Sequence, residues 1–437
     1  MTEDTFYDIH MHAFNLSHPY FRAFIKRFKI DWLLVGVAIV SVFTLVPGIR
    51  QMILSFVDRI LRRIRNLLSV MENDIGSFFL LTENCIREKE NPLLTNDGLH
   101  IGGKTYARVV LTPLMMDFGR KGVEEDPDVH YGKPSEKPIV EQVTDVFNAI
   151  KKYKKATSSA ELSEKYPFLE RDTSRIFEIY PFLGLNTKNY DMPRLKKMLD
   201  KYFDEYEGSR KDLSENIGQF DGDIEDLGSN FFAGIKVYPP LGFDPWPDDK
   251  ENLDKVKYLY SYCCKKGVPI TAHGSESGFV AVKSKRDLKK FTSIAKWTQV
   301  LRQYPELRLN LAHFPMQEKI LWMFPDPRHR RLKAILAIVL DRKNKNVYVD
   351  FSNRAVSDKY FKLLRKVIDG LTGEEDKTIL KSRILFGSDY TVNLMAKGIE
   401  SYNKYLDIFS QTECLKPEEK HSFCCTNPGQ FLFSQDE

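Results

Sequence analysis

At 437 residues, with 42% hydrophobic and 29% charged side chains, the chain is too long for one small domain and too apolar for wholesale disorder. Its 24 Gly and 21 Pro are ordinary numbers that exclude collagen-like or low-complexity architecture. The balance of 65 Lys+Arg against 60 Asp+Glu leaves +5, too weak a charge for a dedicated nucleic-acid binder.

In chain order, the acidic start Met1-Thr-Glu-Asp leads directly into an apolar run, so no signal peptide is expected. Eight short apolar runs follow one another at 6–12, 106–115, 175–185, 231–238, 268–273, 308–313, 347–351 and 384–388. Most are nearly continuous in Val, Ile, Leu and Phe, as strands buried on both faces must be. Amphipathic stretches at 140–155, 192–207, 252–266, 285–304, 330–341 and 359–371 separate them and predict helices. Eight strands alternating with helices predict an α/β fold, a (β/α)8 TIM barrel, rather than an open sheet. A dinucleotide-binding sheet would need a Gly-rich turn after the first strand, and none is present.

The expected domains are a barrel over 1–12 and 106–437, with a long, partly hydrophobic helical insertion over 13–105 after strand 1. Within it, residues 32–49 carry no charge, and residues 50–68 form an apolar stripe backed by Arg59, Arg62, Arg63 and Arg65. A single membrane crossing there would place strand 1 and the other seven strands on opposite sides of a bilayer, which a barrel forbids. Residues 30–70 are therefore read as a buried cap, a homo-oligomer interface or an attachment to a membrane surface. Six cysteines, two pairs of them adjacent, show no C-x-x-C spacing and no regular disulfide framework, and a reduced, cytoplasmic setting is expected.

The chemistry gathers at strand ends. Asp8-Ile-His10-Met-His12 puts two imidazoles on one side of the first strand, a chelate suited to Zn²⁺ or a similar divalent ion. Lys236 ends the fourth strand, His273 the fifth and His313 the sixth, and Asp389 follows the eighth. Four of only nine histidines thus sit where barrel active sites are built. Asp8 is expected on the opposite strand face, supporting the ligands. Tyr238, Asn353 and Arg354 stand just beyond strand ends, with substrate contact or packing as their alternatives. His18, His100, His130, His329 and His421 lack such placement and are read as surface or loop residues, and the cysteine pairs as packing residues.

The set His10-x-His12, Lys236, His273, His313 and Asp389 resembles the metal constellation of the amidohydrolase superfamily, and Asn427-Pro-Gly-Gln-Phe-Leu-Phe resembles its C-terminal segment. Asn310-Leu-Ala-His313-Phe-Pro and Gly387-Ser-Asp389 are most similar to the amidohydrolase-related branch, which includes hydrolases and metal-dependent decarboxylases. Gly234-Ile-Lys236-Val-Tyr-Pro is similar to the fourth strand of dihydroorotases and phosphotriesterases, where the lysine is carboxylated and bridges two metals. The resemblance implies one or two divalent ions, Zn²⁺ first among them, and a carboxylated Lys236 if there are two. Asp389 would bind metal through one oxygen and take a proton from the attacking water through the other. His313 would be a second-metal ligand or a hydrogen-bonding electrophile. The implied activity is metal-dependent hydrolysis of an amide, ester or related bond in a small molecule. A non-oxidative decarboxylase on the same scaffold and a membrane-associated, non-catalytic scaffold are the alternatives.

Overall fold

The computed structural model describes residues 4–15, 18, 68, 70–71, 74–87, 93–95, 97–119, 139–157, 160–170, 174–220, 222, 227–282, 284–316, 327–396 and 398–433. The uncharged run 32–49 and nearly all of the basic stripe after it lie outside these residues, as do His130 and the side chain of His329. Among the described residues no helix is long and apolar enough to cross a membrane.

Eight parallel strands form the centre: β1 (Thr5–Met11), β2 (Arg108–Pro113), β3 in two pieces (Phe177–Ile179 and Phe182–Gly184), β4 (Gly234–Val237), β5 (Ile270–Ala272), β6 (Leu309–Leu311), β7 (Val347–Asp350) and β8 (Ile384–Leu385). The order is sequential. One ladder runs β1-β2 and on to the first piece of β3, and another runs from the second piece of β3 through β4, β5, β6 and β7 to β8. At the two seams isolated parallel bridges replace a ladder, Leu114 with Phe182 and Met11 with Tyr390. The second seam is reinforced where the His12 amide donates to the Tyr390 carbonyl at 2.6 Å and the Asp389 amide to the His10 carbonyl at 2.6 Å. This is the (β/α)8 arrangement the alternating runs predict.

Pro181 divides the third run, because it has no amide to give a ladder and the chain steps from β2 to β4 there. The stretch 285–304 forms two helices, Lys285–Phe291 and Ile294–Gln303, instead of one. Thr292 turns its hydroxyl back to the Leu288 carbonyl at 2.8 Å, closing the first helix. Other ends follow their sequence signals. Asp249 caps Lys250–Lys266 through the Asn252 amide, and Gly267, at φ 73°, ends that helix with no β-carbon to clash.

The chain between β1 and β2 includes helix Ile75–Arg87 and a small antiparallel sheet of Leu94–Thr95, Gly98–Ile101 and Lys104–Tyr106. The helix lies against Ile139–Lys155, and its buried Glu83 accepts from the Tyr153 hydroxyl at 2.5 Å and the Arg87 Nε at 2.7 Å. His18, expected at the surface or in a loop, lies in a bend but is fully buried, with Nε2 3.0 Å from Asp145 Oδ2. Burial of an imidazole is stabilised by that carboxylate, a partner 127 positions away that no local pattern reveals. At the C-terminus Asn427 donates to the carbonyls of Lys381 and Ile384, both at 2.8 Å, and Phe431 and Leu432 are fully buried.

Candidate metal centre

The pairing of β1 with β2 is regular from Thr5 to Asp8 and shifts before Met11. Across that irregularity Asp8 and His10 part company, although strict alternation would put them on one face. Asp8 reaches the helix Tyr402–Gln411, where the Tyr402 hydroxyl donates to Oδ2 at 3.1 Å, while Oδ1 accepts from the Ser388 amide at 2.9 Å. Burial pushes the Asp8 carboxyl up to about 7 against these hydrogen bonds.

His10 and His12 are each fixed by the outer ring nitrogen. Nδ1 of His10 is 2.9 Å from Asp350 Oδ2, and Nδ1 of His12 is 2.9 Å from the Leu114 carbonyl. A carbonyl oxygen only accepts, so the proton of neutral His12 is on Nδ1 and the lone pair on Nε2. Nε2 of His12 stands 3.1 Å from Asp389 Oδ1, and Nε2 of His10 3.5 Å from the same oxygen. Burial, aided by the Lys236 charge, lowers the His10 pKa and so opposes its imidazolium form.

The same logic holds on β5 and β6. Nε2 of His273 is 2.8 Å from the Ser277 carbonyl and Nδ1 of His313 is 3.0 Å from the Ser352 carbonyl, so both of these nitrogens carry hydrogen. The inner pair, His273 Nδ1 and His313 Nε2, then face each other as lone pairs at 3.0 Å. Burial drives His313 down to about 3 and His273 well below its usual value, so neither is protonated at neutral pH. Acceptors brought this close repel one another unless a cation stands among them. Two groups of ring nitrogens are arranged to hold one, and ligand atoms of His10, His313 and Asp389 lie within 4.8 Å of one another.

Asp389 is ionised. Burial alone would raise its carboxyl, but the His12 hydrogen bond and the charges of His313 and His10 bring it down to about 2. It is no helix cap, since Thr391 occupies that position before Val392–Met395. His313 and Asp389 both hold left-handed backbone, at φ 64° and 59°, which costs non-glycine residues about 1–3 kcal/mol each and concentrates at functional sites. Lys236 Nζ lies 3.5 Å from His10 Nε2, and burial lowers its ammonium to about 8 although the Asp350 and Asp389 carboxylates pull the other way.

Of the substrate-contact candidates, Tyr238 stacks on His273 with ring centroids 4.1 Å apart, and its hydroxyl accepts from the Phe279 amide at 3.1 Å. Arg354 donates to Ser275 Oγ at 3.1 Å, and its charge is felt at His313. Phe14, Phe118 and Phe279 form an aromatic wall beside His12, with Phe14 and Phe279 centroids 5.2 Å apart.

Asp350, Ser352 and Tyr402 carry no expectation from the sequence. Asp350 accepts from His10, from Asn310 Nδ2 at 2.7 Å, and from the amides of His313 at 3.1 Å and Ser352 at 3.0 Å. Ser352 also donates its hydroxyl to Asp350, and Tyr402 holds Asp8. One signal was present, an acid closing the apolar run Val347-Tyr-Val-Asp350. Asn310 stands in the motif that ends at His313, and nothing local marks Ser352 or Tyr402.

Solved structures similar to the chain include a 4-oxalomesaconate hydratase from Rhodopseudomonas palustris, at 12% identity and TM-score 0.41, covering 98% of this chain and 95% of that one. A dihydroorotase from Saccharomyces cerevisiae shares 12% identity at TM-score 0.38, over 84% of this chain and 82% of that one. A probable 2-pyrone-4,6-dicarboxylic acid hydrolase from Acinetobacter baumannii shares 11% at TM-score 0.39, over 76% and 84%. No curated protein sequence matches the chain. Residues 217–433, which carry the strand ends from Lys236 to Asp389, match the family described as Amidohydrolase. Over residues 217–433 the chain belongs to the amidohydrolase family.

Proposed function

We propose that the protein is a metal-dependent hydrolase acting on an amide, ester or related bond of a small molecule. The observation that carries this reading is the direction of the ring nitrogens. Outer nitrogens of His10, His12, His273 and His313 are engaged by carboxylate or carbonyl oxygens, which leaves inner nitrogens facing one another and the Asp389 carboxylate. Hydrogen bonding of the far ring nitrogen to a carboxylate or carbonyl is the usual way a protein orients a metal-binding imidazole. His10, His12, Lys236, His273, His313 and Asp389 are the proposed ligands, and a nitrogen-rich set favours Zn²⁺.

The chemistry that a divalent ion would supply there is polarisation of the scissile oxygen and a lowered pKa for a water molecule. The residues do the rest. Asp389, ionised above about pH 2, presents Oδ1 to the imidazoles and leaves Oδ2 to accept a proton from the attacking water and return it to the leaving group. Lys236, with its ammonium lowered to about 8, is about one-tenth free amine at pH 7, far more than an ordinary lysine. Reaction of the free amine with carbon dioxide gives a carbamate and one proton; counted from the ammonium, two protons leave and the cation becomes an anionic ligand. The aromatic wall of Phe14, Phe118 and Phe279 faces an apolar part of the substrate, while Tyr238 and Arg354 contact its polar part.

Turnover on ester, amide and phosphoester panels, measured before and after chelation and on return of Zn²⁺ or Mn²⁺, tests the reading. Activity lost on chelation, restored by metal and reduced about 10²–10⁴-fold by Asp389→Asn supports it. Metal-independent activity, or none on any panel, contradicts it. Intact-protein mass adds the chemistry of Lys236. Two ions with an added carbon dioxide go with hydrolysis, and one ion with an unmodified lysine goes with decarboxylation.

A further inference from the structure

The far end of β1 holds a second group of metal-ligating side chains. Asp4 immediately precedes Thr5, at the end of the strand away from His10 and His12. Its Oδ1 lies 4.0 Å from Nε2 of His421, the last residue of helix Pro417–His421. Cys425, in the following π-helical turn Ser422–Thr426, brings Sγ within 4.8 Å of both. Single π-helical turns recur where a helix is locally reshaped for function.

The imidazole is already oriented. Its Nδ1 is 3.2 Å from the buried Tyr106 hydroxyl, and its ring stacks on Tyr106 with centroids 5.9 Å apart. Nε2 is left on the side of Asp4. The adjacent cysteines divide between two tasks. Cys424 is fully buried and lies 3.4 Å from the Tyr106 hydroxyl, whereas Cys425 is partly accessible and belongs to the cluster.

We propose that Asp4, His421 and Cys425 form a second site for a borderline-soft divalent transition-metal ion such as Zn²⁺, fastening the start of β1 to the C-terminal helical segment. Carboxylate oxygen, imidazole nitrogen and thiolate sulfur are the three donor types that Zn²⁺ accepts, and water completes four-coordination. Metal–ligand lengths of about 2.0–2.3 Å put tetrahedral ligand atoms about 3.3–3.8 Å apart, so each ligand here has to close by about an ångström or less. Asp4 is well exposed and can make most of that movement, its side chain being 46% accessible. Binding breaks the Cys425 S–H bond, forms the S–metal bond and releases one proton to solvent. The thiolate and the Asp4 carboxylate neutralise the divalent ion, which matters because the Lys104 charge also reaches His421 and Cys425.

Co²⁺ titration of the full-length protein tests the proposal, because the barrel cluster contains no sulfur ligand. The expected result is a near-ultraviolet sulfur-to-cobalt charge-transfer band that is abolished by Cys425→Ser, retained in Cys424→Ser and retained in His12→Ala. Asp4→Asn, an exposed change that leaves the fold intact, should weaken Co²⁺ binding at this site at least tenfold. It should also remove a Zn²⁺-dependent rise in melting temperature seen in the unaltered chain. No charge-transfer band at excess Co²⁺, or one that survives Cys425→Ser, overturns the proposal and leaves the barrel site untouched.

Discussion

Asp350 organises the centre without being one of its proposed ligands. It takes hydrogen bonds from β6, from its own strand's end and from His10, so it orients the His10 imidazole and holds the His313 backbone at once. Burial works against its ionisation, but the charges of His10 and His313 and the Ser352 hydroxyl hold the carboxyl far below the usual range. Asp350→Asn puts an amide donor among donors, and metal affinity is expected to fall about 10–100-fold in chelator competition, with helical content unchanged. Gly278 is as constrained. At φ 98° a β-carbon there would meet the Tyr238 hydroxyl at 2.1 Å and the His273 ring at 3.1 Å. Gly278→Ala should displace both rings and lower kcat/KM by about 10²-fold, read against metal content to separate misplacement from metal loss. A third prediction concerns pH. Burial raises Asp117 to about 6 from 3.8 despite hydrogen bonds from Asn186, Gly119 and Tyr190. Its folded pKa exceeds the unfolded one, so the linked stability is complete below about pH 4 and is lost as pH rises through about 6. Asp117→Asn should therefore gain stability relative to the unaltered chain across that window, by about 3 kcal/mol at most, in urea unfolding at a series of pH values.

At the scale of elements, strand identity was legible because the strands are nearly continuous apolar runs, five of which end on a candidate ligand. The ends of elements were less so. Apolar spacing continues through 285–304, and the break at Thr292 depends on a hydroxyl turned back to the preceding helical turn. Asp8 and His10 diverge because of a register shift that period-two alternation does not contain. The joint between Ile75–Arg87 and the barrel also depends on distant partners. Tyr153 donates to Glu83 at 2.5 Å and accepts from the Phe177 amide at 3.1 Å, while the Arg175 guanidinium lies 3.7 Å from Glu83. Tyr153→Phe leaves a fully buried carboxylate short of one donor and a strand amide without its acceptor. About 1.5–3 kcal/mol of stability should be lost in denaturant unfolding, with the barrel site's metal affinity unchanged.

Over the whole molecule, the ends of five strands spread across nearly four hundred residues bring candidate ligands to one place, and their residue types and strand-end positions are what the sequence makes visible. The supporting residues were hidden because their roles come from neighbours far along the chain. Asp350 contacts His10 across 340 positions and Tyr402 contacts Asp8 across 394. The distal cluster of Asp4, His421 and Cys425 was hidden for the same reason, since its members belong to opposite ends of the sequence. That separation also permits a clean count of the barrel ions. Elemental analysis of the purified Cys425→Ser protein, beside the same protein carrying His12→Ala and Asp389→Asn, measures the barrel site alone. Two divalent ions per chain, lost together with metal-dependent turnover in the triple variant, is the expected result. A chain that binds no divalent ion, or that holds the same metal without His12 and Asp389, would contradict a metal-dependent hydrolase.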